Sequence, residues 1–211
     1  MEYPLGRIFI IPAYKLWLRK IDGIENIPRS KPFIIAANHS SYYDTILPHC
    51  IILPLLDRKI HSLSNSRYWD HFFSRIILNY GECIPVHVGK DRRDNTRAFN
   101  KAKSYLRKGE PVMIFPEGTR SHDGILKKAY NGIGRLAYET KVPVLPMGII
   151  GSHKVFPKGK FPRFRRCDVV FGKPMRFDGI ISHRKGKKAL EEITRRVMKS
   201  IAALIGQEYR Y

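Results

Sequence analysis

The sequence is poor in cysteine, and the few cysteines it has lie far apart. Cys50, Cys83 and Cys167 are an odd number of thiols without metal-ligand spacing. This pattern argues against a disulfide framework and against a cysteine-rich zinc site. A reducing compartment is therefore the default expectation.

Long apolar runs are also missing. The longest apolar stretches are residues 8–18, interrupted by Pro12 and Lys15, and residues 50–56, whereas a membrane-spanning helix needs about 20 residues. The first residues include Glu2, and no A-x-A cleavage pattern follows the short apolar run. We therefore expect neither a spanning helix nor a signal peptide, although such a chain can still lie on a membrane surface.

Acidic residues are also few compared with basic residues. The 211 residues contain 18 Asp and Glu against 39 Lys and Arg, a net charge of +21. The last 61 residues alone carry 16 basic and 5 acidic residues, which is more than half of the excess. Such a field attracts nucleic acid, anionic lipid headgroups or an acidic protein, and composition does not choose among them. The hydrophobic content of 43% nevertheless indicates one folded domain.

Apolar strand candidates alternate with helix candidates along the chain. The predicted strands are residues 32–37, 83–88, 111–115, 142–150 and 168–171, and the predicted helices are residues 67–79, 95–108, 132–140 and 186–205. This alternation predicts a single α/β domain with a mixed, mostly parallel sheet flanked by helices.

The N-terminal residues predict a separate short element. Residues 7–20 combine apolar and aromatic side chains with flanking basic residues, which predicts an amphipathic helix that either lies at a membrane interface or caps the core. We assign residues 1–20 to a membrane-surface segment and residues 21–211 to the main folded domain.

The first segment with chemical character is NHSSYYD, residues 38–44, directly after a predicted strand. α/β folds place ligands at such positions. Ser41 can cap a helix that starts at Tyr42, with Asp44 completing a capping box. His39 then lies outside the helix and can fold back towards Asp44. A carboxylate on one ring nitrogen leaves the other nitrogen as a base near neutral pH, although a loop histidine beside a structural aspartate is the alternative interpretation.

The second segment is FPEGTRS, residues 115–121, again directly after a predicted strand. Gly118 permits a tight turn, while Thr119 and Arg120 offer a hydroxyl and a guanidinium group suited to phosphate. Glu117 can orient Arg120, and a polar surface turn is the alternative. Since both segments follow strands of one predicted sheet, they can face one cleft, where a base beside a phosphate site would activate a hydroxyl of a phosphorylated molecule.

These two segments resemble the NHxSxxD and FPEGTRS blocks of the glycerolipid acyltransferases, in particular the lysophosphatidic acid (1-acyl-sn-glycerol-3-phosphate) acyltransferase branch. Weaker similarity extends over residues 20–175, through IDGIENIP, GECIPV, KVPVLPMGI and FGKP in the family order. The resemblance implies acyl transfer from a thioester donor, acyl-CoA or acyl carrier protein, to the free hydroxyl of lysophosphatidic acid, giving phosphatidic acid in phospholipid synthesis.

The resemblance also implies roles for individual residues. His39 would be the general base and Asp44 its orienting partner, with direct attack on the thioester and hence no enzyme nucleophile, metal or further cofactor. The acceptor's phosphate end would be held by four residues of the second segment, namely Glu117, Gly118, Thr119 and Arg120.

One family position departs from the pattern. The family usually has Arg or Lys shortly after the strand that here ends in Pro85-Val86, and this chain has His87 and Val88 there. Lys90 and Arg92 follow closely and are the expected source of that charge. Another lysolipid acceptor is therefore the alternative within this class.

Residues 154–166 read KVFPKGKFPRFRR, with six basic residues, three phenylalanines and no acid. Rings between cations fit an anionic membrane surface, although a solvated loop or a site for an acidic acyl carrier protein would have similar composition. We expect a peripheral acyltransferase on the cytoplasmic face of a membrane, with no nucleic acid partner. The rival interpretations, a basic nucleic-acid-binding protein and a lipid-binding protein without catalysis, do not explain the intact histidine–aspartate pair.

Overall fold

One sheet organises the part of the chain that the computed structural model describes, residues 6–89, 95–155, 161, 163 and 165–211. Its seven strands within these residues are β1 Leu18–Asp22, β2 Ile34–Ala37, β3 His61–Asn65, β4 Ile84–Val86, β5 Val112–Ile114, β6 Val144–Ile150 and β7 Cys167–Phe171. The spatial order is β1-β7-β6-β2-β5-β3-β4. Five neighbouring strands from β6 to β4 are parallel, β7 is antiparallel to β6, and β1 is parallel to β7.

Helices cover both faces of this sheet. They are α1 Ile11–Lys15, α2 Leu47–Leu56, α3 Phe72–Tyr80, α4 Thr96–Arg107, α5 Gly132–Thr140, α6 Ser152–Val155, α7 Asp178–His183 and α8 Gly186–Leu204. No helix within the described residues is long and apolar enough to cross a membrane.

The central strand β2 shows why the predicted strands are continuous apolar runs. Ile34 and Ala36 join the core beneath α4, α5 and α8, whereas Ile35 and Ala37 join the core beneath α2. Successive strand residues point to opposite faces, and both faces are buried, so alternation with polar residues is absent. The predicted α/β class with a mostly parallel sheet is confirmed.

Register brings the two motif segments to one edge. Ile34 pairs with Val112 and Ala36 with Ile114 in the parallel pair of β2 and β5. The chain therefore leaves both strands at the same edge, and residues 38–44 and 115–121 follow at neighbouring positions.

The N-terminal helix prediction is wrong in its extent. A π-helical turn, Gly6–Ile10, precedes α1, and the helix ends at Lys15. Residues from Leu18 onwards form β1, in which Arg19 is paired with Asp168 of β7. The last part of the segment that sequence periodicity assigned to a helix is therefore a strand, because it pairs with β7.

Two further differences concern elements near the cleft. The predicted helix 67–79 is a 3₁₀ turn, Ser66–Asp70, followed by α3, and neither contains a fully buried residue. The polar strand β3 and the helix α2 were not predicted. His61 of β3 is buried, and both of its ring nitrogens have partners: Nε2 lies 3.0 Å from Glu110 Oε2 and Nδ1 lies 3.2 Å from the Glu82 carbonyl oxygen. Because these partners are distant in sequence, the local pattern of this polar strand did not indicate that it would be buried.

Candidate active site

The chain leaves β2 through Asn38, whose side chain continues the hydrogen-bond ladder. The Asn38 side-chain amide donates to the carbonyl of Ile149 (2.8 Å), and its oxygen accepts from the Ile149 N–H (2.7 Å). Both groups are buried, so this pair defines the direction in which His39 leaves the sheet.

His39 and Asp44 meet as the motif predicts. His39 Nδ1 lies 2.9 Å from Asp44 Oδ2, and the same oxygen accepts hydrogen bonds from the backbone N–H groups of Ser40 (2.6 Å) and Ser41 (2.7 Å). The Asp44 side chain is fully buried, whereas that of His39 is 13% exposed. The carboxylate is therefore held independently of the histidine, and the histidine ring reaches the cleft.

The local structure that joins this pair differs from the predicted helix start. The turn is a three-residue 3₁₀ helix, Tyr43–Thr45, and α2 begins only at Leu47. The Ser41 hydroxyl accepts from the N–H of Tyr43 (3.1 Å), one residue earlier than in a capping box, while Asp44 returns to the Ser41 N–H as the box requires. A tighter turn thus brings two side chains five residues apart to hydrogen-bond distance.

The second motif packs directly against His39. The His39 ring stacks on Phe115, with ring centroids 3.9 Å apart. The carbonyl oxygen of His39 accepts a hydrogen bond from the N–H of Ser121 (2.8 Å). The two motifs therefore form one unit at the edge of the sheet.

Gly118 is required by both conformation and space. Its φ is +65°, and a Cβ at this position would lie 2.8 Å from Val88 Cγ1 and 2.9 Å from the Tyr130 ring. A side chain here would be strained and would displace a cleft wall. Gly118 and the exposed Thr119 both line the cleft.

Glu117 differs from its predicted position on the acceptor's phosphate. It is buried, with Oε1 accepting the N–H of His39 (2.9 Å) and Oε2 accepting the N–H of Lys127 (2.8 Å). Burial raises the pKa of Glu117 to about 7, although the two backbone N–H groups act in the opposite direction. Its carboxylate therefore connects the motifs behind the cleft and does not point into it.

Tyrosines, and not Glu117, hold Arg120. Its guanidinium carbon lies 3.5 Å from the centroid of the Tyr42 ring, and Nη2 donates to the hydroxyl of Tyr68 (2.7 Å). Stacking and a neutral hydrogen-bond partner leave the positive charge available to an anion.

The segment after β4 was expected to supply a second cation. His87 lines the cleft, with Nδ1 3.0 Å from the Ser66 hydroxyl oxygen, and its backbone pairs with the Asn95 side chain. Lys90 and Arg92 lie outside the described residues.

Two chambers meet at His39. The first chamber, which is the cleft, has a volume of about 370 Å³ and is lined by apolar residues such as Phe99 and Ile114 together with Arg67, His87 and Thr119. We call it the polar chamber because it contains these three polar side chains. The apolar chamber has a volume of about 400 Å³ and extends between α1, α2 and α3. The residues shared by both are His39, Thr45, Ser64, Tyr68 and Arg120. A molecule with a charged end and an apolar end could therefore place its middle beside the histidine.

Sequence reasoning missed the wall that β3 and the following turn provide. Ser64, Asn65 and Arg67 line the polar chamber, and Tyr68 reaches Arg120. The segment HSLSN has no apolar run, so nothing in its pattern indicated a strand directed at the cleft.

Comparison with known proteins agrees with this geometry. Residues 19–150 match the family model described as Acyltransferase, a span that includes both motifs and the strands that carry them. The chain belongs to the acyltransferase family.

Several curated relatives are similar to this chain over most of its length. A chloroplastic 1-acyl-sn-glycerol-3-phosphate acyltransferase of Arabidopsis thaliana is 30% identical over 72% of this chain and 40% of its own length, and a 1-acyl-sn-glycerol-3-phosphate acyltransferase of Bacillus subtilis is 27% identical over 88% of this chain and 87% of its own. The chain spans less than half the length of three of the curated relatives it matches.

A solved structure shows the same fold. The crystal structure of the 1-acyl-sn-glycerophosphate acyltransferase PlsC of Thermotoga maritima superposes with a TM-score of 0.66 at 22% identity, over 92% of this chain and 79% of that one.

Proposed function

We propose that the protein transfers a fatty acyl group from a thioester donor, acyl-CoA or acyl carrier protein, to the free hydroxyl of lysophosphatidic acid. The observation that carries the proposal is the position of His39. Its Nδ1 faces a fully buried carboxylate at 2.9 Å, and its ring lies where the polar and apolar chambers join.

His39 acts as the general base. With the Nδ1 proton donated to Asp44, Nε2 carries the lone pair that accepts the proton of the acceptor hydroxyl. The hydroxyl oxygen forms a bond to the thioester carbon, the carbon–sulfur bond breaks, and the proton moves from Nε2 to the departing thiolate. The products are phosphatidic acid and the free thiol, and no acyl-enzyme intermediate is needed.

Arg120 and the turn at Gly118 bind the phosphate end of the acceptor. The guanidinium is held by Tyr42 and Tyr68 at the junction of the chambers, and Thr119 offers an exposed hydroxyl beside it. Glu117 is a positioning residue, since it accepts the N–H of His39 and reaches neither chamber.

The apolar chamber receives an acyl chain. Its walls include Ile11, Ile46, Leu53 and Ile77, and burial of each methylene group there contributes about 0.8 kcal/mol. A lipid substrate fits a peripheral location, and we assign the protein to the cytoplasmic face of a membrane with an anionic surface.

An acceptor panel tests this function. Purified protein, labelled acyl-CoA and labelled acyl carrier protein would be combined with lysophosphatidic acid, other lysolipids and glycerol 3-phosphate in detergent micelles. We expect lysophosphatidic acid to be the preferred acceptor and His39→Ala to abolish the transfer. Preference for a lysolipid with a larger headgroup would favour the alternative acceptor, for which His87 in place of Arg or Lys is the supporting observation.

A control with the same chemistry at a different place strengthens the panel. His183 lies at the end of α7, away from both chambers, so His183→Ala should retain the activity. No transfer to any acceptor by the wild-type protein from either donor would contradict the proposal.

A further inference from the structure

Helix α3 exposes the apolar side chains that a surface helix normally buries. Phe72, Phe73, Ile76 and Ile77 are 62%, 79%, 51% and 66% exposed. Phe72 and Phe73 contact each other edge to face, with centroids 5.5 Å apart, so the patch is contiguous. A contiguous apolar patch on a folded protein marks a surface that binds something.

The orientation of the helix explains the patch. At about 100° per residue, the apolar positions from Phe72 to Ile77 and Tyr80 cover an arc of about 140°. Ser74 and Leu78, on the opposite side of the helix, are its partly buried positions. The apolar stripe therefore faces outward, and we call the exposed side chains of Phe72, Phe73, Ile76 and Ile77 the α3 face.

The α3 face is continuous with the apolar chamber. Ile77, Leu78 and Tyr80 line that chamber, and Gly6 and Ile11 line it from the N-terminal segment. Ile8, between those two residues, is itself 64% exposed. Exposed apolar side chains thus occur on α3 and on the N-terminal segment, which are two of the elements that border the chamber.

The charge around the α3 face suits an anionic surface. Arg75 is exposed within the helix, with its guanidinium 6.0 Å from the Phe72 ring centroid. Arg67 is exposed in the preceding turn, where Asp70 is the one acidic residue of the segment from Arg67 to Tyr80. Cations beside an apolar helix face are typical of helices that lie in the headgroup region.

We propose that the α3 face inserts into the headgroup and acyl boundary of an anionic bilayer and places the apolar chamber against the membrane. Lipid chains then pass between bilayer and chamber without crossing water. The identification of the occupant as a bilayer rests on the proposed function, because a lipid substrate supplies the chain that this chamber would take.

Vesicle sedimentation separates the apolar part of binding from the electrostatic part. The full chain would be mixed with phosphatidylcholine vesicles, with and without phosphatidylglycerol, at about 0.1 M and about 1 M salt, between which the Debye length falls from about 10 to about 3 Å. We expect anionic vesicles to bind more protein at low salt, and a salt-resistant fraction to remain.

The triple variant Phe72→Ser, Phe73→Ser, Ile76→Ser removes the outward part of the face and spares the residues that line the chamber. We expect its salt-resistant partitioning to fall at least about 100-fold, since a buried phenylalanine alone contributes a factor of about 10 or more. Ile125→Ser is the matched control, because Ile125 is 60% exposed and lies outside both chambers. Melting temperature and acyl transfer in detergent micelles should be unchanged in both variants.

Three results would overturn the proposal. The first is vesicle binding by the triple variant equal to that of the wild type, and the second is an equal loss of binding in the control. The third is light scattering without lipid that shows a dimer which only the triple variant disrupts, because the α3 face would then be an interface between copies. Vesicle binding through α3 by a protein that transfers no acyl group in micelles would refute the proposed function and leave the docking surface intact.

Discussion

Replacing Asp44 by asparagine isolates the charge of the carboxylate. All three hydrogen-bonding groups at this side chain meet one oxygen, Oδ2, which faces His39 Nδ1 and accepts from the N–H groups of Ser40 and Ser41. Oδ1 is buried and accepts no hydrogen bond from the described residues. An asparagine with its oxygen at the Oδ2 position therefore keeps all three contacts and the histidine tautomer, loses the negative charge, and places its NH₂ group at the buried Oδ1 position.

The size of the effect follows from the charge that develops on the imidazole. Opposite unit charges about 4 Å apart attract by about 4 kcal/mol at an effective dielectric constant of about 20. If about half of the proton has moved in the transition state, about 2 kcal/mol of this attraction is realised, which corresponds to about 30-fold in rate. Asp44→Asn should therefore lower kcat by about 30-fold, less than the 10²–10⁴-fold expected for His39→Ala.

Steady-state kinetics in micelles would measure this difference, with acceptor KM expected to stay constant. Asp168→Asn is the matched control, since Asp168 is paired with Arg19 of β1 and lines neither chamber. Wild-type kcat in Asp44→Asn would show that the charge does not assist proton transfer. A loss as large as that of His39→Ala, in a variant with native melting temperature, would refute the assignment of Asp44 as a secondary partner.

Three further predictions address other parts of the site and the membrane surface. Arg120→Ala should mainly raise the acceptor KM, and Arg120→Lys should not restore it because an ammonium group cannot both stack on Tyr42 and bind in a fork; a rise in donor KM alone would assign Arg120 to the thioester carrier. The folded-state pKa of Glu117 is about 7 instead of 4.5, so its carboxyl stabilises the fold below pH 4.5, and about 3 kcal/mol of that stability is lost as pH rises to 7. Urea unfolding between these pH values should therefore show that the free energy of unfolding declines more steeply with pH in the wild type than in Glu117→Gln. Equal slopes in the two proteins would contradict the pKa shift. Neutralising Lys158, Lys160, Arg163, Arg165 and Arg166 together should weaken binding to anionic vesicles and activity on bilayer substrate more than activity in micelles, whereas tight, salt-dependent binding to duplex DNA without lipid binding would favour the nucleic-acid interpretation.

The apolar strands and the two motifs were predictable because their signals are local. A strand buried on both faces is a continuous apolar run, as in β2 and β6, and each motif directly follows such a run. Parallel pairing then places both motifs at one edge. The α/β class, the meeting of the motifs and the contact of His39 with Asp44 follow from these features of the sequence.

Elements whose partners are distant in sequence were not predictable. Strand β1 contains the adjacent basic residues Arg19 and Lys20 and no apolar alternation, and only its pairing with β7 and the ion pair to Asp168 make it a strand. Strand β3 can bury a polar residue because His61 contacts Glu110, which lies 49 residues away in the sequence. In both cases long-range contacts, which no local pattern records, outweigh local propensity.

The direction of side chains in the site was also decided by tertiary structure. The sequence placed Glu117 beside Arg120, but two backbone N–H groups turn the carboxylate inward, and Tyr42 and Tyr68 hold the guanidinium instead. For α3, the sequence determined an apolar helical stripe, and only the packing of the helix decided that the stripe faces outward. Residue order determines which chemical groups are present and how they repeat along the chain, whereas the balance of contacts from distant segments decides which way each group points.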